Sequence, residues 1–232
     1  TKQFTLGGNG EAYGASTSQG AGWAFKTDNG FAVSSNVVSK SDSSIKNAAE
    51  TAYINTGLLG ERTKTSWATQ VGITKPEYSA SVIVNQKYNS WSDGYFESLQ
   101  HAPSAYDGNL TAIGLRGWWR PADTGSGTPS ISLGYDTTSY SGAAASEDNS
   151  TAWFAGLTWE DSFAADDKIG IAFGQPTTNE DETVDPFAYE AYYQFQVNDS
   201  VTMTPTIFGG SDRNGTAGGD VFGALVNTTF KF

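Results

Sequence analysis

The sequence predicts an all-β protein, an antiparallel up-and-down transmembrane β-barrel. Three observations predict it. Apolar and polar residues alternate with period two in segment after segment, the segments are long, and the stretches joining them alternate between short and long. The chain has 232 residues, formal net charge −12, 27 Gly and no Cys, and one domain fits that length. A mean hydropathy of −0.40 accompanies 7 Trp, 11 Tyr and 13 Phe. Disordered chains are poor in aromatics. A sheet with one apolar and one polar face combines many aromatics with low hydropathy.

In chain order, strands are expected at about 22–27 (GWAFKT), 31–39 (FAVSSNVVS), 66–73 (SWATQVGI), 78–88 (YSASVIVNQKY), 110–120 (LTAIGLRGWWR) and 129–140 (PSISLGYDTTSY). They continue at 151–160 (TAWFAGLTWE), 168–175 (KIGIAFGQ), 187–197 (FAYEAYYQFQV), 201–209 (VTMTPTIFG) and 220–232 (DVFGALVNTTFKF). Most run longer than the five or six residues usual in soluble proteins, and a tilted bilayer-crossing strand needs about 9–11. Ile131, Leu133 and Tyr135 alternate with Ser132, Gly134 and Asp136. Trp153, Ala155, Leu157 and Trp159 alternate with Phe154, Gly156, Thr158 and Glu160. Ile169, Ile171 and Phe173 alternate with Lys168, Gly170 and Ala172, and Tyr189, Ala191, Tyr193, Phe195 and Val197 with Glu190, Tyr192, Gln194 and Gln196. Phe222, Ala224, Val226, Thr228, Phe230 and Phe232 share one face, with Phe232 at the rim.

Alternation alone does not say whether the apolar side meets a packed core or lipid. The connections do. The stretches 28–30, 74–77, 121–128, 161–167 and 198–200 are short, and 40–65, 89–109, 141–150, 176–186 and 210–219 are long, strictly in turn. Outer-membrane barrels sort their turns by side in this way, and a soluble sandwich has no reason to.

Several function classes are excluded. An acidic chain lacks the clustered Lys and Arg that phosphates demand, so nucleic acid is not an expected partner. Without Cys there are no disulfides, thiolate metal sites or Cys nucleophiles. A single His, His101, removes most His-based catalysis and metal binding. The carboxylates Glu160/Asp161 and Glu180/Asp181/Glu182 are sequence neighbours that point apart on a strand or into solvent from a loop. The Gly-rich 7–10 and 215–220 open no strand-to-helix unit. No enzyme activity, cofactor or metal is therefore expected.

At YEAYYQFQVNDSVTMTPTIF (189–208) and VNTTFKF (226–232) the chain resembles the C-terminal hairpin and closing strand of cyanobacterial outer-membrane porins, related to the carbohydrate-selective (OprB) and iron-uptake porin families. AGWAFKTDNGFAVSSNVVS (21–39) resembles an internal hairpin of the same group. The resemblance implies a homotrimeric passive diffusion channel for inorganic ions and small hydrophilic solutes such as sugars, residing in the cell outer membrane. Family members usually begin with a signal peptide and a peptidoglycan-holding domain, and bacterial barrels have even strand numbers. Residues 1–232 are thus expected to be the C-terminal portion of a larger even-numbered barrel, with 11–12 strands in this chain; 2–6 (KQFTL) is the candidate for a stubby twelfth.

The chemistry of such a channel is the charge and width of its lumen. Alternation assigns Lys26, Lys87, Arg116, Arg120, Asp136, Glu160, Lys168, Glu190 and Lys231 to the pore-lining face. It assigns Trp153, Leu157, Ile171, Phe195, Phe230 and Phe232 to the membrane-facing side. Arg116 and Arg120 are the foremost selectivity candidates. For most of these charges, pairing with a neighbour is the preferred reading. The acidic excess then falls in 146–149, 161–167 and 179–185, as an acidic vestibule above a more basic lumen. The stretch 46–54 could form a short helix in the longest loop, and Trp91, Tyr95, Phe96 and Tyr106 accompany His101 in an aromatic loop. Two alternatives stand beside the channel: a structural or receptor outer-membrane barrel without open conductance, and a soluble carbohydrate-binding β-sandwich.

Overall fold

A computed structural model describes residues 19–40, 63–88, 109–125, 127–141, 149–179, 182–213 and 217–231. The expected segments are all strands, with ends shifted by a few residues: β1 (Gln19–Lys26), β2 (Phe31–Lys40), β3 (Lys64–Thr74), β4 (Tyr78–Tyr88), β5 (Asn109–Trp119), β6 (Ser130–Ser141), β7 (Asn149–Glu160), β8 (Lys168–Asn179), β9 (Phe187–Asn198), β10 (Val201–Ser211) and β11 (Val221–Phe230). They form one sheet of 11 strands in sequence order, each antiparallel to the next. A β-sandwich needs two facing sheets, so that alternative falls. Among the described residues β1 and β11 are the two edges. The expected elements at 2–6 and 46–54, and the aromatic loop with His101, lie outside the described residues.

The strand ends that flank 27–30, 75–77, 120–129, 161–167 and 199–200 lie at one end of the sheet, and those that flank 41–63, 89–108, 142–148, 180–186 and 212–220 at the other. The sorting by length is less strict than alternation suggested, because 120–129 is longer than 142–148. That connection folds across the end of β7: Gly125 N donates to Glu160 O (3.1 Å) and Trp159 Nε1 to Gly127 O (3.0 Å).

The tightest constraint on the short-turn end is Gly30. It sits at φ +87°, donates to Thr27 O at 3.0 Å, and its carbonyl accepts from Thr74 N at 2.9 Å. A Cβ there would collide with the Thr74 carbonyl oxygen. Asn29 Oδ1 accepts from Phe31 N at 3.2 Å, a side chain completing a turn as Asn commonly does.

Register decides which face each side chain takes. Following the partners out from Asp136 through Gly114, Ile83 and Gln70, and in the other direction through Ala152, gives one continuous inner face. In the middle strands its residues are buried: Asp136, Lys87 and Glu190 are each 1% exposed. The opposite, outer face is open, with Leu133 54% and Ile171 40% exposed. The inner face is not wholly polar. Ala68, Ile83, Leu110, Ala112 and Tyr140 form a buried apolar cluster on it. The two register shifts fall near strand ends, at Thr151/Trp153 and Val201/Thr202.

Gly30→Ala is expected to destabilise the folded state by about 1–3 kcal/mol, from a left-handed Ala and its clash. Urea unfolding in lipid vesicles, followed by tryptophan fluorescence, measures it; an unchanged midpoint would show that this turn does not set the β1–β2–β3 register.

Candidate functional site

The candidate site is the inner face and the division of chemistry between it and the outer face. Among the described side chains, every charged residue within the strands lies on the inner face: Lys26, Lys64, Lys87, Arg116, Asp136, Glu160, Lys168 and Glu190. Arg120 and Lys231 stand one residue beyond β5 and β11. Lys231 continues the parity of Thr229 and Asn227, which face inward with Thr202 and Thr204. Lys64 was missed from sequence because the alternation continues two residues before the expected start of β3.

These charges are not equivalent. Arg116 Nη2 meets Asp136 Oδ2 at 2.7 Å, and Nη1 donates to Leu115 O at 2.9 Å and Tyr135 O at 3.3 Å. The guanidinium also lies 5.5 Å from the centre of the Phe154 ring. The Asp136 side chain is 1% exposed against 25% for Arg116, so removing the arginine would leave a buried carboxylate without its counter-charge. Lys168 and Glu160 also pair, at 2.5 Å, but both are more than a third exposed, where such a pair contributes only about 0–1 kcal/mol. Both pairs join neighbouring strands along the wall. Arg120 belongs to the short-turn rim: its Nε donates to Pro76 O at 2.7 Å and its guanidinium lies 5.6 Å over Trp118.

Three inner-face aromatics lie flat against the wall, Phe154, Tyr192 and Phe208, the last over its cross-strand partner Gly223. The Phe154 ring occupies the space a side chain at its cross-strand partner Gly134 would fill, and Tyr192 does the same over Gly170. Without glycine at these positions the rings would stand away from the sheet.

The outer face divides into three zones. Phe25, Phe31, Tyr78, Trp119, Trp159, Phe195 and Phe230 stand near the short-turn end, and Trp67, Trp153, Phe187, Tyr189 and Phe222 near the long-loop end. Between them lie Val82, Val84, Leu115, Leu133, Leu157, Ile171 and Ile207, with Trp23 and Tyr135 among them. Trp153, Leu157, Ile171, Phe195 and Phe230 are thus all on this face, and Phe232 is outside the described residues. From Tyr78 to Tyr88, at the two ends of β4, the strand covers about 33 Å, or about 25 Å along the normal at a typical barrel tilt. Outer-face polar groups are satisfied locally: Trp67 Nε1 donates to Ser35 Oγ (2.9 Å), Ser35 shares a bond with Thr69 (2.9 Å), and Trp153 Nε1 donates to Gln175 (3.1 Å).

The 161–167 turn departs from expectation. It lies at the short-turn end, opposite 182–185, so it adds nothing to an acidic vestibule at the long-loop end. Asp167 is buried inside it. Its carboxylate accepts from Ser162 N (2.7 Å), Phe163 N (3.0 Å), Ala164 N (3.0 Å) and the Tyr193 hydroxyl (3.0 Å). Burial works against that charge, yet the backbone N–H groups of Ser162 and Phe163, with the other donors, hold its pKa below the ordinary carboxylate value. Asp161 is also lowered, first by a hydrogen bond from Thr124 and then by the Asp166 N–H.

No family model matches this chain, and no curated protein matches it. Among solved structures, OprB of Pseudomonas putida, determined at high pH, is similar with a TM-score of 0.54 at 12% identity, over 90% of this chain and 57% of that one. This chain therefore spans little more than half the length of that neighbour, and the likeness is one of fold: a β-barrel architecture.

Because the folded pKa of Asp167 is depressed, its stabilisation is present above the usual carboxylate value and is lost as pH falls through the lowered one. The turn should therefore stay protease-resistant until the pH drops below the ordinary Asp range, whereas Asp167→Ala should be cut between 161 and 167 already at neutral pH. Equal cleavage of the two proteins at neutral pH would show that the carboxylate does not hold the turn.

Proposed function

We propose that the chain forms wall of an outer-membrane porin, a passive diffusion channel for inorganic ions and small hydrophilic solutes such as sugars. One observation carries the reading. All described strand charges share the inner face, while the exposed outer face has none and is aliphatic in its middle apart from Trp23 and Tyr135, with aromatic residues towards both ends. A water-soluble sheet has no cause to expose its aliphatic side between two aromatic rows. A barrel in lipid does. The porin-like sequence segments and the fold likeness to OprB support the same conclusion.

The proposed channel works by charge and width, without a chemical step. Lys26, Lys87, Arg116, Arg120, Asp136, Glu160, Lys168, Glu190 and Lys231 are its lining, with Arg116 and Arg120 the selectivity candidates. Asp136 and Phe154 hold the Arg116 guanidinium against the wall, where it biases permeation towards anions without blocking the bore. The intact barrel is larger than this sheet. In an up-and-down sheet of 11 strands the two edges, β1 and β11, run in the same direction. Antiparallel closure takes an odd number of further strands, and lipid tolerates no bare edge. A homotrimer, a cyanobacterial origin and a position in the C-terminal portion of the barrel complete the reading on the strength of the sequence resemblance.

Reconstituted into planar bilayers, the protein should give discrete conductance steps. Stable insertion without any steps would favour a structural or receptor barrel instead. Replacing Arg116 and Arg120 together by Ala should move the reversal potential under a salt gradient towards cation preference; an unchanged potential discards their selectivity role. Ile171→Arg should cost about 2–4 kcal/mol in refolding from urea into vesicles, against little for Thr158→Arg on the inner face. An indifferent response to Ile171→Arg would mean that this face meets water.

A further inference from the structure

At the short-turn end, a cleft of about 300 Å³ opens between the 120–129 connection and the 75–77 turn, with Glu77, Arg120, Thr128, Ser130, Thr158 and Glu160 in its lining. Ser130 and Thr158 are cross-strand partners on the inner face of β6 and β7. The connection that walls the cleft is pinned to the end of β7 and the turn after it. Gly125 N donates to Glu160 O at 3.1 Å, Trp159 Nε1 to Gly127 O at 3.0 Å, and the Thr124 side chain to Asp161. The cleft therefore does not depend on a loop closing over a ligand.

Arg120 is held on three sides and open on the fourth. Its backbone N donates to Glu77 O at 2.8 Å, its Nε donates to Pro76 O at 2.7 Å, and its guanidinium lies 5.6 Å over Trp118. These contacts set the plane of the fork, and among the described residues neither Nη1 nor Nη2 has a partner. Glu77 is exposed and adjoins Arg120 through that backbone bond, yet its carboxylate makes no ion pair with the guanidinium. The second carboxylate of the cleft, Glu160, is already met by Lys168. What remains open is one cation, one anion and a row of hydroxyls.

We infer that this cleft binds a small amino acid in its zwitterionic form, the carboxylate on the Nη pair of Arg120 and the ammonium on Glu77. A planar guanidinium takes a carboxylate through two parallel N–H···O bonds, and a fork already fixed in place loses little freedom in doing so. An anion without an amine would face Glu77, and a cation without a carboxylate would face Arg120. A solute with both charges answers both groups, and that difference is the source of the selectivity. The hydroxyls of Thr128, Ser130 and Thr158 suit a short polar side chain such as that of serine. The volume is at the low end of the range of about 300–1,000 Å³ found for ligand sites, which matches a solute of few atoms. As a station for solutes in transit the cleft rests on the porin reading above; as a binding site it stands apart from it.

The test uses the whole chain in detergent micelles, with binding read by saturation transfer from protein to solute in NMR, and the same protein in planar bilayers. L-Serine should give a saturable signal. Glycerate has the carboxylate and hydroxyls without the amine, and ethanolamine has the amine without the carboxylate; each should bind about tenfold more weakly, through loss of one charge-assisted contact. Arg120→Gln and Glu77→Gln should each weaken serine by a similar factor, while Lys75→Gln, which removes a charge from the same turn, should leave it unchanged. Glu77 is exposed, so its variant carries the test if Arg120→Gln fails to fold. No saturable serine signal, equal binding of serine and glycerate, or serine binding indifferent to both substitutions overturns the inference. Glucose binding as tightly as serine and lost with Arg120→Gln overturns it too, by assigning the cleft to neutral sugars. Conductance steps without a serine signal remove only the cleft site; a serine signal without steps leaves the site standing and removes the channel reading.

Discussion

On the porin reading proposed above no water satisfies the outward peptide groups, so each strand must complete its hydrogen bonds with the strand beside it. Everything else in this protein follows from that pairing. The ladder fixes the register, and the register, with a side-chain period of two, fixes the face of every residue. A slip of one residue in β6 would move Asp136 into the band occupied by Leu133 and Tyr135. The two irregularities in the ladder stand near strand ends, where a local change of phase does not carry a charge to mid-depth. The turns that lock the phase are correspondingly rigid. Gly30 is in a conformation and a contact that no larger residue accepts, and the 161–167 turn is wound around a carboxylate.

Within that frame the inner face shows how charge is kept in a confined space. Arg116 is tied to Asp136, backed by two carbonyls and laid beside Phe154, whereas Lys168 and Glu160 meet in a half-exposed pair near the rim. The first arrangement fixes a guanidinium in place; the second is loose enough to be screened by salt. The short-turn rim is knit separately, through Arg120 to Pro76, Gly125 to Glu160 and Asp161 to Asp166.

Much of this was legible in the sequence. The strands were, because their alternation is strong and Gly, Pro, Asn and Asp punctuate them. The sidedness of Trp153, Leu157 and Ile171 against Asp136, Glu160 and Lys168 was legible for the same reason. Other features were hidden. Ile83, Leu110 and Tyr140 occupy positions that alternation gives to a watery side, yet they are buried, because enclosure by the fold is not a property of any one strand. Asp167 reads as one more acidic loop residue until the turn brings three N–H groups and a distant phenol onto it. The even alternation of loop lengths proved an idealisation, since 120–129 spends its length crossing the end of β7.

The aromatic rings lying over Gly134, Gly170 and Gly223 have an effect beyond leaving the bore clear. Each roofs a piece of ladder that, in the proposed channel, would otherwise face water. Solvent competing for those peptide groups is turned away, and the wall acquires dry spots on its wet side. The inner face is thus covered by rings at the strand pairs β6–β7, β8–β9 and β10–β11.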